Sequence, residues 1–126
     1  MKINPLWFLA LLSLSLIGGY AYAQDSSEAA KIRYLIGSVE ALQRVTFLRN
    51  GGEYDTKKAA DHLRLKLKMA GDRVKTVEDF IRLCGSKSFV SGEVYRMRLP
   101  DGTTIYAEAF FRERLKALIS DTSSRP

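Results

Sequence analysis

Cysteine and histidine are scarce in this chain, which has one of each among its 126 residues. A single cysteine excludes an intrachain disulfide framework, and one cysteine with one histidine cannot complete a Cys/His zinc site. The sequence also lacks a His-Glu-x-x-His motif, an EF-hand loop and a phosphate-binding glycine loop. We therefore expect no metal and no cofactor, and a fold that depends on its hydrophobic core.

Long apolar runs are missing too, except near the N-terminus. Lys2 is followed by an apolar run at 6–17 and by the small-x-small sequence Ala21-Tyr22-Ala23. This pattern predicts a secretory signal peptide cleaved after Ala23, with an uncleaved membrane anchor as the alternative. We expect a periplasmic or secreted protein with no stable membrane span after cleavage. The expected organisation is a signal peptide at 1–23, a single domain at 24–119 and a flexible tail at 120–126.

Positive charge outweighs negative charge, since 20 Lys and Arg against 14 Asp and Glu give a net charge of +6. In an intracellular protein this balance would indicate nucleic acid. In an exported protein it indicates anionic envelope surfaces, or simply supports solubility. The partner is therefore unknown. The charge favours an envelope protein or an anionic envelope glycan, and we expect no nucleic acid.

Apolar periodicity predicts four helices, at 27–44, 55–70, 76–85 and 107–119. In the second helix, Leu65 and Met69 form an apolar patch opposite the main apolar face. A helix that is apolar on two sides is usually covered on both, so we expect this one to be central. Thr76 and Asp79 have the spacing of a capping box at the start of the third helix.

A hairpin is predicted after the third helix, because apolar alternation at 94–99 and at 103–106 flanks the turn sequence Pro100-Asp101-Gly102. The β-branched and aromatic segment 45–48 is a candidate third strand. The predicted fold is a small α+β domain of about four helices with a two- or three-stranded antiparallel hairpin sheet.

Two side chains, Cys84 and His62, have the chemistry of a catalytic nucleophile or base. Cys84 lies on the apolar face near the C-terminal end of the third helix, where the helix dipole disfavours a thiolate, so we interpret it as a core residue. His62 must serve any histidine-dependent mechanism, because it is the only histidine. It is either the base of a small hydrolase or transferase, or a half-buried histidine bonded to a backbone carbonyl. No catalytic residue is assigned, and the sequence favours a non-enzymatic role.

Ordered motifs along the chain resemble a family of small exported bacterial proteins catalogued as a domain of unknown function. They are F-L-R-N-G-x-x-Y from Phe47, H-L-R-L-K-L from His62, T-V-E-D-F-I from Thr76, Ser86-x-Ser88 and Ser91-Gly92-x-x-Tyr95. The resemblance covers residues 30–118 and implies an exported location. It implies no catalytic residues, since no activity is established for the family. Cys84 stands where the family often has alanine, which also favours a core role.

The motifs contain polar residues that core packing does not require, namely Arg49, Asn50, Tyr54, His62, Ser86 and Ser88. Each also has a structural alternative, such as positive φ at Asn50 or the capping of carbonyl groups by the serines. We predict that segments 49–54 and 86–88 converge with His62 on a polar notch beside the second helix. The favoured function is a periplasmic binding or accessory module with a basic surface. The alternatives are a His62-dependent hydrolase or transferase and a secreted inhibitor or effector that docks on another protein.

Overall fold

The computed structural model describes residues 27–125, so the predicted signal peptide at 1–23 lies outside the described residues. Within that range the elements are α1 (27–40), β1 (Thr46–Arg49), β2 (Gly52–Tyr54), α2 (Thr56–Ala70), a 3₁₀ turn (Gly71–Arg73), α3 (Val77–Phe80), a π-helical turn (Ile81–Gly85), β3 (Arg96–Arg98), β4 (Thr104–Tyr106) and α4 (Ala107–Ser123). Four α-helices and one antiparallel sheet of four strands confirm the predicted α+β fold class for this part of the chain.

The ends of α2 and the start of α3 follow local sequence signals. The Asp55 side chain accepts a hydrogen bond from the Lys58 backbone N–H and caps α2. Gly71 ends α2 with a positive φ of 54°. Thr76 and Asp79 form the predicted capping box, in which each side chain accepts from the backbone N–H of the other residue.

The sheet has the strand order β2-β1-β3-β4, and every neighbouring pair is antiparallel. Segment 45–48 was predicted as a third strand, and β1 occupies it with a shift of one residue. The fourth strand, β2, was not predicted. It pairs with β1 because Asn50 and Gly51 both take a positive φ and reverse the chain within two residues. Gly52-Glu53-Tyr54 has too little apolar alternation to indicate a strand.

The core lies between one face of the sheet and the helices. Phe47 and Met97 pair across β1 and β3 and are buried beside Tyr95. Phe111 of α4 is also buried and packs close to the π-helical turn, where a Cβ on Gly85 would lie 2.9 Å from its ring. Glycine at this position therefore lets α4 approach the turn. Cys84 is buried as predicted.

Some predicted details are wrong. Leu65 and Met69 are exposed, so α2 is covered on one side only and is not central. α1 ends at residue 40, well before 44, and Arg44 takes a positive φ that no helix accommodates. α4 continues to Ser123, beyond the predicted end at 119. No helix within 27–125 combines the length and the apolar character needed to cross a membrane.

Candidate functional site

Arg49, Tyr54 and His62 meet beside α2. Arg49 is two residues after Phe47 on β1, so its side chain lies on the same, helix-facing side of the sheet. Its Nη1 lies 2.7 Å from Nδ1 of His62 and also contacts Nε2. Its guanidinium carbon is 5.1 Å from the centre of the Tyr54 ring, a cation–π distance. Three of the six candidate residues therefore form one cluster.

Asn50 and Ser88 meet next to this cluster but have a structural role. Asn50 Nδ2 donates to Ser88 Oγ over 3.2 Å, and Ser91 Oγ donates to Asn50 Oδ1 over 2.5 Å. Ser88 Oγ also accepts from the Val90 backbone N–H. These three side chains, which we name the polar latch, tie the β1–β2 turn to the loop at 88–91. The positive φ of Asn50 matches its structural alternative.

Ser86 does not join the cluster. It is buried, and its hydroxyl donates to the Ile81 carbonyl over 2.6 Å, while its own carbonyl accepts from the Tyr95 N–H. Ser86 therefore closes the π-helical turn and anchors the start of β3. This agrees with the alternative role of the serines, the capping of carbonyl groups.

Lys66 is the residue that sequence reasoning missed. It is only 3% exposed, and its Nζ donates to Tyr95 Oη over 2.8 Å and to the Lys87 carbonyl over 2.7 Å. The rings of Phe89 and Tyr95 lie 4.3 and 4.5 Å from the same nitrogen. Its spacing in the sequence could have indicated this burial. Lys66 follows Leu63 by three residues and precedes Ala70 by four, which places it on the apolar face of α2.

Burial disfavours the charged forms of the ionisable side chains in this region. The pKa of His62 falls to about 4, first through burial and then through the charges of Arg49 and Lys66. The imidazole is therefore neutral at pH 7 and can accept a hydrogen bond from Arg49. Burial also lowers the pKa of Lys66 to about 8, and burial raises that of Tyr95.

The cations around His62 form no ion pair with a carboxylate in the described part of the chain. Among residues 27–125, no Asp or Glu forms an ion pair with Arg49, Lys58 or Lys66, although carboxylates pair with Arg64, Arg98 and Arg112 elsewhere. Arg49 and Lys66 instead contact a neutral imidazole, a phenol and a backbone carbonyl. The Nε of Arg49 is buried with no hydrogen-bond partner in the described part of the chain.

A cavity of about 160 Å³ opens between the β1–β2 hairpin and the first half of α2, and we name it the α2 notch. Its lining consists of Phe47, Arg49, Tyr54, Lys58, Ala59 and His62. Two cations and a neutral imidazole thus meet aromatic and aliphatic walls. This combination suits an anionic group attached to a small apolar body.

The side chains around the α2 notch are poorly suited to metal binding and to base catalysis. Within 27–125, no three His, Cys, Asp or Glu side chains are placed to hold a metal ion. His62 contacts Arg49, and a pKa of about 4 makes it a weak base at neutral pH. The arrangement is better suited to holding a charge than to moving a proton.

The chain matches a family model described as a family of unknown function, DUF5329, over residues 26–119. It belongs to this family. This confirms the resemblance drawn from the motifs, and DUF5329 membership brings no activity with it. The chain is also 34% identical over 71 residues to the uncharacterized protein YfeK of Salmonella typhimurium strain LT2, an overlap of 56% of this chain and 59% of YfeK. The chain thus spans less than two thirds of that curated relative, and no solved structure matches it.

Proposed function

We propose that this DUF5329 protein is an exported binding or accessory module that receives an anionic group of an envelope component in the α2 notch. The observation that carries the proposal is a cavity lined by Arg49 and Lys58, close to the buried ammonium of Lys66, with no carboxylate paired to any of the three in residues 27–125.

Unpaired charge in a half-buried site favours an incoming counterion. Removing a cation from water is unfavourable, and hydrogen bonds to neutral groups compensate for only part of that cost. An anion in the notch would form charge-assisted hydrogen bonds, which are shorter and stronger than neutral ones. The net charge of +6 would also concentrate anionic partners around the protein.

The size of the notch limits what enters it. A cavity of about 160 Å³ accepts one acidic group with a few attached carbon atoms, and not a sugar chain or a peptide. The remainder of a partner would lie over the exposed surface around the notch. Both an anionic glycan and an acidic envelope protein carry groups of this size.

Export is supported by the signal-peptide pattern at 1–23. Cell fractionation of the full-length protein, with mass spectrometry of its N-terminus, tests this part. We expect a mature chain that begins at Gln24 in the periplasm or the medium. A chain that keeps residues 1–23 in the cytoplasm would contradict export.

Binding is tested by titrating labelled residues 24–126 with propanoate and, separately, with propanamide, which has nearly the same shape without the charge. We expect saturable chemical-shift changes around His62 with propanoate only, and roughly tenfold weaker binding in Lys58→Met. Lys57→Met is the matched control, because Lys57 is the neighbouring exposed lysine and does not line the notch. Equal shifts with both ligands, or equal affinities in both variants, would rule out an anion site.

A second measurement extends the test to real partners. We expect the fraction of protein that sediments with purified anionic envelope glycan to fall as the salt concentration rises. Lys58→Met should lower this fraction more than Lys57→Met does. Salt-insensitive sedimentation would exclude this glycan as the partner.

A further inference from the structure

An exposed apolar patch lies near Lys66, on α2 and on the loop after α3. Its members are Leu65 and Met69 on α2, which are 53% and 64% exposed, and Phe89 and Val90 on the loop after α3, which are 47% and 96% exposed. We name these four side chains the apolar patch.

The two halves of the patch adjoin each other. The Phe89 ring lies 4.3 Å from Lys66 Nζ and 5.9 Å from the guanidinium carbon of Arg73. Lys66 directly follows Leu65 and precedes Met69 by three residues on α2, so Phe89 packs beside the edge of the helix that carries Leu65 and Met69. Leu65 precedes Met69 by one helical turn and extends the patch along α2.

The loop that presents Phe89 and Val90 is closed and held in place. The Gly92 N–H donates to the Ser88 carbonyl and the Ser88 N–H donates to the Glu93 carbonyl. Lys66 holds the Lys87 carbonyl, and the polar latch holds Ser88 and Ser91. The exposure of Val90 therefore belongs to an ordered, protruding turn, in which two consecutive apolar residues face solvent.

Cations surround the apolar patch. Lys68, Arg73 and Lys87 are exposed, and none of them forms an ion pair within residues 27–125. Asp72 is the acidic side chain next to Arg73 in sequence. Basic side chains around a few protruding apolar ones complement a surface whose outer layer is negatively charged and whose interior is apolar.

We infer that the apolar patch docks this protein on the surface of a lipid bilayer that contains anionic lipids, with Phe89 and Val90 inserted below the headgroups and Lys68, Arg73 and Lys87 against them. A bilayer fits better than a protein groove, because the inserting residues protrude from a turn and a fluid surface closes around any protruding shape. The side chains placed at the membrane are not among those that line the α2 notch, so the two proposals can fail separately.

The only tryptophan, Trp7, precedes the predicted cleavage site, and this gives a direct optical test. Residues 24–126, which include the whole buried core from Ile32 to Phe111, then carry no tryptophan, so Val90→Trp introduces a single reporter. We expect its emission to shift to shorter wavelength with vesicles of phosphatidylglycerol and phosphatidylcholine, and to be quenched by brominated acyl chains. Ile119→Trp, an exposed position on α4 outside the patch, should show neither effect.

Matched double variants measure the contribution of the patch. Met69→Gln with Phe89→Ser should lower the vesicle partition coefficient at least about tenfold, since two apolar side chains no longer leave water. Tyr106→Ser with Ile119→Gln removes side chains of similar exposure, 55% and 48%, elsewhere on the surface and should change partitioning less than about twofold. Val90→Ser provides a variant with no buried contact to lose, and its cooperative unfolding should be unchanged.

Four outcomes would overturn the inference. Equal binding to pure phosphatidylcholine vesicles would remove the anionic requirement, and equal losses in the patch and control variants would remove the patch. A concentration-dependent dimer that ignores vesicles would show that a second copy covers the patch. If Lys58→Met abolishes vesicle binding while the patch variants keep it, lipid headgroups bind in the notch instead.

Discussion

Two groups of cations in this molecule meet their surroundings in opposite ways. On the surface between α3 and α4, the two Nη atoms of Arg112 donate to the two carboxylate oxygens of Glu78, each over 2.9 Å, and Glu108 accepts as well. These hydrogen bonds lower the pKa of Glu78 and raise that of Arg112. Around the α2 notch, the acceptors that Arg49 and Lys66 reach within residues 27–125 are all neutral.

The two groups differ in whether carboxylates of the protein already neutralise the cation. Arg112 is exposed and already has two carboxylates, so a further anion would gain little from it. Lys66 is buried with neutral partners, and an anion nearby would relieve unfavourable burial. The same contrast predicts how each region responds to mutation, because only the buried side depends on its hydrogen bonds for stability.

The largest expected effect comes from Lys66→Ala, which should lower the free energy of unfolding by about 2–4 kcal/mol. Truncation removes the buried stem and leaves Tyr95 Oη and the Lys87 carbonyl without their donor. Urea unfolding at pH 7 measures it, with the exposed Lys68→Ala as control at less than about 0.5 kcal/mol. Equal losses of unfolding free energy in the two variants would show that burial and hydrogen bonding of Lys66 do not stabilise the fold.

Two substitutions of Asn50, beside the α2 notch, distinguish the stability contributed by the polar latch from that contributed by the β1–β2 turn. Asn50→Ala loses both side-chain hydrogen bonds and also places a Cβ-bearing residue without local hydrogen bonding at φ 49°, for a cost of about 2 kcal/mol. Asn50→Gly keeps the turn and loses only the hydrogen bonds, at about 1 kcal/mol. Thermal unfolding of both compares the two terms, and identical costs would mean that backbone conformation contributes nothing.

His62 makes stability on the notch side sensitive to pH above the range of the carboxylates. In the unfolded chain it takes up a proton as the pH falls through 6.5, whereas in the folded protein it does so near 4. The unfolded state therefore binds more protons in this window, and stability falls as pH drops from 6.5 to 4. After allowance for solvent screening we expect a loss of about 1–2 kcal/mol.

Urea titrations at steps between pH 7 and 4.5 measure this loss, with His62→Gln as the variant that should show a flatter profile. Glu78 and Asp79, whose pKa values are lowered in the fold, lose their contribution mainly below their own unfolded values near 4. Parallel profiles for the two proteins would place the acid sensitivity elsewhere than at the imidazole.

The smallest expected change in unfolding free energy comes from Arg112, whose charge is already paired with carboxylates. Arg112→Ala should cost about 0.5–1 kcal/mol at low salt and less at high salt, because its ion pairs are exposed and screened. Lys116→Ala on the same helix has no ion pair among the described residues and serves as control. A cost as large as that of Lys66→Ala would erase the contrast between the two regions.

Local signals in the sequence were sufficient to locate the four helices and the caps of α2 and α3, but not the ends of α1 and α4. Asp55, Gly71 and the Thr76–Asp79 pair act within a few residues of each other, so their roles are visible in the sequence. The strand β2 was missed because a two-residue turn and pairing with β1 create it. The exposure of Leu65 and Met69 depends on what packs against α2, which no local pattern contains.

The candidate site was only partly predictable, for a similar reason. The polar residues of the motifs were found by their lack of a core role, and Arg49 with His62 meet as that reasoning expected. Whether they bind a ligand stays a prediction. The sequence did not separate them from Asn50 and Ser88, which bond each other across 38 residues of chain, or from Ser86, whose hydroxyl bonds the Ile81 carbonyl. Lys66 was overlooked because charged residues are usually exposed.

The order of the strands also governs when the domain can fold. β1 and β2 are adjacent in the chain, as are β3 and β4, but the two hairpins join only through the pairing of β1 with β3, from Thr46↔Arg98 to Leu48↔Arg96. All of α2 and α3 lies between these two strands, so the central pairing closes a long loop and contributes late. During synthesis the first half of the chain therefore cannot complete its sheet until β3 has emerged, and until then the inner edge of β1 stays unpaired.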